Sequence, residues 1–391
     1  MGRTPYNSPP ESALPIKVQP RESPYPVPHP HGQYHGYPPP LPPQHLPPPR
    51  YYAPKRWFPW LMPTFIVANI VIFVISMYIN DCPARFRNCT GTSVLGRFAF
   101  QSTHENPLLG PSASTLLSLG AMDVQKVVQQ HEIWRLVSCM WLHAGAFHVF
   151  ANMFSLLFVG IRLEQEFGFL RIGLLYLISG VGGSLISSLF VRDTISVGAS
   201  GALFGLLGAM LSELFANWTI YENKCESLLS LLIIILINMA LGILPHVDNF
   251  AHLGGFFTGF LLGFVLLLRP QFAWFNARNS PPGYVTKPKP KYKAYQCILL
   301  IISMIILVTG FTIGLVLLMS GIDGNKYCHW CHYLKCVPTP LWTCDAKCSS
   351  HQYENQLNLK CLTNQKTRSY ILENSNNSTM IQKLCADLCL E

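Results

Sequence analysis

Charge is what this chain lacks. Asp, Glu, Lys and Arg make up 12% of its 391 residues, against about 25% in an ordinary soluble domain. Half of the residues are apolar, and they are segregated into blocks of about 18 to 22, long enough to cross a bilayer. This composition excludes an ordinary soluble fold and points to an all-α polytopic membrane protein. The chain also lacks a basic stripe interleaved with aromatics, so its net charge of +9 reads as membrane topology and no nucleic-acid partner is expected. The opening MGRTPYNSPP has no apolar h-region of a cleavable signal. Tyr6 stands where N-myristoylation wants Ser or Thr. Charges deep within spans and repeats with broken helices, the marks of a transporter or channel, are missing as well.

Proline is abundant in one place. Residues 1–54 hold 18 of the 31 prolines, in runs such as YPPPLPPQHLPPPR. Such a segment cannot pack a core and is expected to be extended or disordered. It offers a docking site for SH3- or WW-type domains, or is simply a solvated tail. Seven apolar blocks follow, near 61–79, 146–163, 172–191, 200–216, 227–244, 250–268 and 297–319. The chain therefore divides into a proline-rich N-terminal region (1–56), a six-span core (57–268), a basic linker (269–296), a seventh helix (297–319) and a tail (320–391).

Lys and Arg near span ends set orientation. Arg50, Lys55 and Arg56 precede the first block, and Arg269, Arg278, Lys287, Lys289, Lys291 and Lys293 fill the link before the seventh. Both segments are expected in the cytosol. Alternation then puts the loop 80–145 and the tail on the far, luminal or extracellular side. The loop carries basic residues of its own, but long loops cross largely regardless of charge. Ten of the thirteen cysteines fall on that far side: Cys82 and Cys89 in the loop and eight from Cys328 to Cys389. An even number in an oxidising compartment reads as disulfides, with connectivity open. The competing reading of CHWCHYLKC as a zinc cluster belongs to a cytosolic tail. Sequons at Asn88, Asn376 and Asn377 share the far side, whereas the one at Asn217 falls on the cytosolic side.

Polar groups inside apolar spans are costly, so each is a candidate for function. Four stand out: His148, Asn152, Ser200 and His252. Counting crossings, the second, fourth and sixth blocks all run from the far side inward, and these four residues lie near their beginnings. His148 and Asn152 are four apart and share a helical face. Gly201, Gly205 and Gly208 line the fourth block, and Gly255, Gly259 and Gly263 repeat every four residues on the sixth. Such small-residue faces let helix backbones approach closely. If these two faces meet, His252 is carried to Ser200. A serine hydroxyl becomes nucleophilic beside a neutral imidazole, and acyl transfer needs donors for the developing oxyanion. Asn152, His148 and the Ser200 amide offer them. Asp248, the nearest carboxylate, lies too shallow to be a third member, which leaves a Ser–His dyad.

GASG around Ser200, AHLGGFFTG around His252 and HAGAFHVFAN from His143 to Asn152 resemble the three signatures of rhomboid intramembrane serine proteases. The resemblance covers roughly residues 60–268, and it includes WR at Trp134–Arg135 and EQEFG at Glu164–Gly168. It implies a rhomboid-like six-helix bundle with a seventh C-terminal transmembrane helix, and no cofactor or metal. It implies Ser200 as nucleophile and His252 as base, with His148, Asn152 and the Ser200 amide as the oxyanion hole. His143 is implied as structural, Gly198 as keeping the strand before the serine open, and Phe204 as the ring that stacks on the histidine; Trp134 and Arg135 belong to a first-loop motif. Inactive members usually lack the serine or the histidine, or carry proline before the serine; Ala199 stands there in this chain. The implied substrates are single-span membrane proteins with an easily unwound helix. The extra span at the C-terminus resembles the secretory branch, in the Golgi or at the plasma membrane; the mitochondrial branch adds its extra span at the N-terminus. The alternative is a catalytically silent relative that binds client membrane proteins.

Overall fold

The structure, a computed structural model, describes residues 56–85, 89–103, 105–192, 194–218, 223–241, 247–270, 290–328, 330–331, 334, 348–353, 356–361, 366–371 and six residues within 380–388. The proline-rich arm, most of the basic linker, the sequons at Asn88, Asn376 and Asn377, and Cys336, Cys344 and Cys389 lie outside the described residues. All seven apolar blocks are helical: α1 (Leu61–Asn80), α2 (Ala146–Phe167), α3 (Phe169–Phe190), α4 (Ser200–Ala216), α5 (Lys224–Leu241), α6 (Asn249–Leu266) and α7 (Ala294–Met319). Among the described residues, α1, α2, α3, α6 and α7 are long and apolar enough to cross a membrane, and α4 is a shorter apolar helix. The result is an all-α polytopic membrane protein.

The bundle is organised around α4 and α6. A Cβ added at Gly255 would lie 1.9 Å from the Gly201 carbonyl oxygen, and one at Gly259 would lie 2.0 Å from that of Gly205. The two helices therefore meet backbone to backbone, which only glycine permits there. α3 joins them: a Cβ at Gly183 would lie 2.6 Å from the Ala251 carbonyl oxygen. By contrast, α5 touches the bundle along one edge, where Leu231 and Ile235 cover Phe204, Leu207 and Leu211 on α4. Its other side exposes Leu229, Leu232, Ile233, Leu236 and Ile237, as a lipid-facing helix would. Asn238 donates to the Ile234 carbonyl of its own helix at 2.8 Å.

Buried polar residues lock the end of the bundle away from Ser200. The Glu164 carboxylate is fully buried and accepts from the backbone N–H groups of Trp60, Leu61 and Met62 at 2.8–3.0 Å. It satisfies the unpaired donors of the first turn of α1 and complements the positive end of its dipole. Arg269, just past α6, bridges Glu213 of α4 and Glu166 of α2, each at 2.7 Å. Asn217 is fully buried and donates to Glu213 and to the Leu267 carbonyl.

Between α1 and α2 the chain forms a compact ledge. It contains short antiparallel strands β1 (Cys89–Thr90) and β2 (Phe100–Gln101) and the helical turns Ala113–Leu119, Val124–Gln129 and Arg135–Ser138. A Cys82–Cys89 disulfide closes its start. The tail carries an antiparallel sheet of β3 (Cys348–Tyr353), β4 (Gln356–Cys361) and β5 (Thr367–Ile371). Cys348 bonds to Cys385, and Cys328 bonds to Cys331. These two cysteines of CHWCHYLKC are thus spent on one another. Cys139, Cys225 and Cys297, none of which the sequence assigns to the far side, carry free thiols.

Candidate active site

The starts of α2, α4 and α6 converge at one end of the bundle, and the four polar side chains singled out from sequence lie there. Ser200 is the first residue of α4, so its N–H belongs to the helix's unpaired first-turn donors. His252 is the fourth residue of α6. The Gly201–Gly255 contact brings these two first turns together, and a Cβ on Gly201 would lie 3.2 Å from the Ala251 carbonyl oxygen. The His252 ring stacks on Phe204, one turn below Ser200, with centroids 4.2 Å apart and planes 16° from parallel. Phe204 thereby fixes the imidazole plane from the α4 side. Ser200 stays partly accessible while His252 is buried.

Gly198 connects this pair to α2. Its φ of +128° is a region that residues with a Cβ rarely adopt. A Cβ there would also lie 2.7 Å from His148 Cε1, 2.8 Å from His148 Nε2 and 3.7 Å from Asn152 Nδ2. The backbone just before Ser200 therefore runs directly against His148 and beside Asn152. Asn152 Nδ2 is buried and finds no acceptor among the described residues. A buried donor without a partner is rare in folded proteins, and here it faces the segment leading to Ser200. His143 lies outside the spans, fully buried, with its ring edge-on to His148 at 5.2 Å. Burial first, and then the neighbouring His148, push its imidazole down to about 3, so it stays neutral.

The loop before Ser200 is pinned at three points. Ser196 and Met122 exchange backbone hydrogen bonds at 3.0 and 3.1 Å. Gly198 N–H donates to the Cys139 carbonyl at 3.0 Å. The Ser196 hydroxyl donates to Asp248 Oδ2 at 2.6 Å. Asp248 also accepts from the Ser187 hydroxyl and caps α6 through Ala251 N–H at 3.0 Å. Its oxygens are committed to tying α3, the loop and α6 together. Sequence reasoning weighed Asp248 only as a third catalytic member. Its position three residues before Ala251, at the head of a glycine-rich helix, carries the N-cap signature that shows its actual role.

Trp134 and Arg135 lie elsewhere. Arg135 is buried and donates to the Leu117 and Ala121 carbonyls at 2.8 Å and to Glu132. Its guanidinium sits 4.8 Å from the centre of the half-exposed Trp134 ring. Arg135 thus organises the ledge whose continuation, through Cys139, holds Gly198. Its link to Ser200 is indirect.

A family model described as the Rhomboid domain matches residues 130–269, a range that holds Trp134, Arg135, His143, His148, Asn152, Gly198, Ser200, Phe204 and His252. The chain is 62% identical over 339 residues to RHOMBOID-like protein 1 of Arabidopsis thaliana, covering 86% of this chain and 87% of that protein. It is 56% identical over 292 residues to "RHOMBOID-like protein 6, mitochondrial" of the same plant, covering 74% and 95%. "Inactive RHOMBOID-like protein 8", also from Arabidopsis thaliana, is 43% identical over 295 residues, covering 73% and 82%.

Proposed function

The chain belongs to the rhomboid family, and from that premise we propose that it is an intramembrane serine endopeptidase acting through a Ser200–His252 dyad. The observation that carries this reading is the backbone contact of α4 with α6 at Gly201 and Gly255, which puts the first turn bearing Ser200 beside the one bearing His252. His252 takes the proton as Ser200 Oγ attacks a peptide carbonyl. The negative oxygen is received by Asn152 Nδ2, His148 and the Ser200 N–H, donors fixed before the charge develops. Collapse breaks the C–N bond, and His252 hands its proton to the leaving amine. A water then releases the acyl-enzyme by the same steps in reverse roles.

The substrates in this reading are single-span membrane proteins whose helices unwind near the Ser200 end of the bundle, in a lipid bilayer. That end faces the lumen or the outside, with the proline-rich N-terminus in the cytosol and the tail opposite. The oxidised cysteine pairs of the loop and tail support this orientation. The secretory route, Golgi or plasma membrane, follows from it, although one relative is named mitochondrial; fluorescence of a tagged chain against organelle markers tests the assignment. The proline-rich arm is read as a solvated tail or as a ligand for SH3- or WW-type domains.

A second reading, a silent member that binds client membrane proteins, draws on the relatives named inactive. Ser200, His252 and Ala199 together weigh against it. Co-expression with a tagged single-span substrate separates the two. A cleaved product from the native chain, absent with Ser200→Ala and with His252→Ala, supports the protease. An intact substrate that co-purifies with the native chain supports the client-binding alternative.

A further inference from the structure

We propose that the described tail residues Gly321 to Cys328, with Cys331 and Leu334, form a strap that positions the His252 end of α6, and that the Cys328–Cys331 disulfide is its fastener; this rests on the protease reading above. These residues follow α7 and touch the ends of α3 and α6. Arg192, past the end of α3, donates to the Gly321 carbonyl at 3.3 Å and to that of Ile322. Asn325 Nδ2 donates to the Phe190 carbonyl at 2.7 Å. Asn249, the first residue of α6, donates from Nδ2 to the Leu334 carbonyl at 2.9 Å. Cys331 is buried against Val191 and Phe250. Phe250 in turn stacks on Phe190, centroids 4.5 Å apart and planes 3° from parallel.

Phe250 and His252 are two residues apart, about 200° around the helix. The strap therefore braces the side of α6 opposite the one that meets Ser200. Force on Phe250 is transmitted to His252 within a single turn. The disulfide spans a sequence separation of only 3, where chain-entropy stabilisation is smallest. Its effect is local: it shapes the turn that seats Cys331 on Phe250. Cys328 is partly accessible while Cys331 is buried, so attack by an external thiolate falls on the Cys328 sulfur. Reduction by a dithiol breaks the S–S bond and leaves two thiols, with two electrons and two protons delivered, while the reductant closes its own disulfide. The unfastened strap then loosens on Phe250.

The test uses the full chain in liposomes, the rate of fluorophosphonate labelling at Ser200, and hydrogen–deuterium exchange over 249–255. Reduction by dithiothreitol should slow labelling about tenfold, since a displacement near 1 Å at a catalytic group costs up to ~10²-fold, and should speed exchange. Cys328→Ser with Cys331→Ser should be slow from the outset and blind to dithiothreitol. Cys82→Ser with Cys89→Ser should keep the full response. Equal labelling and exchange before and after reduction, with Cys328 and Cys331 both shown alkylated, overturns the strap; this arm needs no variant to fold. A native oxidised chain that never labels at Ser200 overturns the protease reading instead, and the exchange data still report whether the strap holds α6.

Discussion

Gly198 combines two constraints that no other residue meets: a φ of +128° and contact with the His148 ring at the position of a missing Cβ. Gly198→Ala should abolish cleavage, by at least ~10²-fold, because relief requires moving the segment that carries Ser200 away from His148. A gel assay on variant protein that still reaches the membrane checks this. Asn152→Ala should lower kcat by about 10²–10³-fold with KM nearly unchanged, the signature of a donor used only in the transition state; steady-state kinetics in proteoliposomes read the split, and an equal rise in KM would instead make Asn152 a substrate-binding residue. Ser200, His252, His148 and Asn152 are legible in the sequence because polar side chains are rare and costly in apolar helices. Asp248 and Glu164 are not, because carboxylates at helix ends usually mean solvated caps. Only packing reveals that Glu164 receives three N–H groups and that Asp248 gathers two hydroxyls from other segments.

Among the elements, the α4–α6 pair was foreseeable from the four-residue repeat of Gly255, Gly259 and Gly263. Small-residue spacing encodes close approach directly. Gly259→Leu should force the helices apart against the Gly205 backbone, lower the unfolding temperature and reduce cleavage; the overpacking cost exceeds about 3 kcal/mol if neighbouring backbone cannot yield. Thermal unfolding in detergent, followed alongside activity, measures it. Unchanged unfolding would mean that the helices do not meet at Gly259. The short turns of the loop and the strands of the tail are much less legible. Their sequences lack long apolar periodicity, and disulfides rather than a large core close the tail's sheet. α5 meets α4 through apolar side chains such as Leu231 and Ile235, and the Asn238 amide donates to its own helix.

At the scale of the whole molecule, one end of the bundle holds the candidate chemistry and the other holds the locks. Glu164→Ala leaves three buried or half-buried N–H groups without their acceptor and should destabilise the protein by on the order of 3 kcal/mol. Because Glu164 is remote from Ser200, the rate per folded molecule should stay near native, which active-site titration separates from loss of protein. The seven-helix order was readable from apolar blocks; the tail's return onto α3 and α6 was not, because it depends on Arg192, Asn249 and Phe250 meeting a segment far away in sequence. The most direct measurement is cleavage of a purified single-span substrate by the purified chain in proteoliposomes, with the cut site mapped by mass spectrometry. A single cut near the Ser200 face, present with the native chain and absent with Ser200→Ala and His252→Ala, is the expected result. Cleavage that persists in Ser200→Ala would remove the dyad and return Ser200 to the packing of α4 against α6.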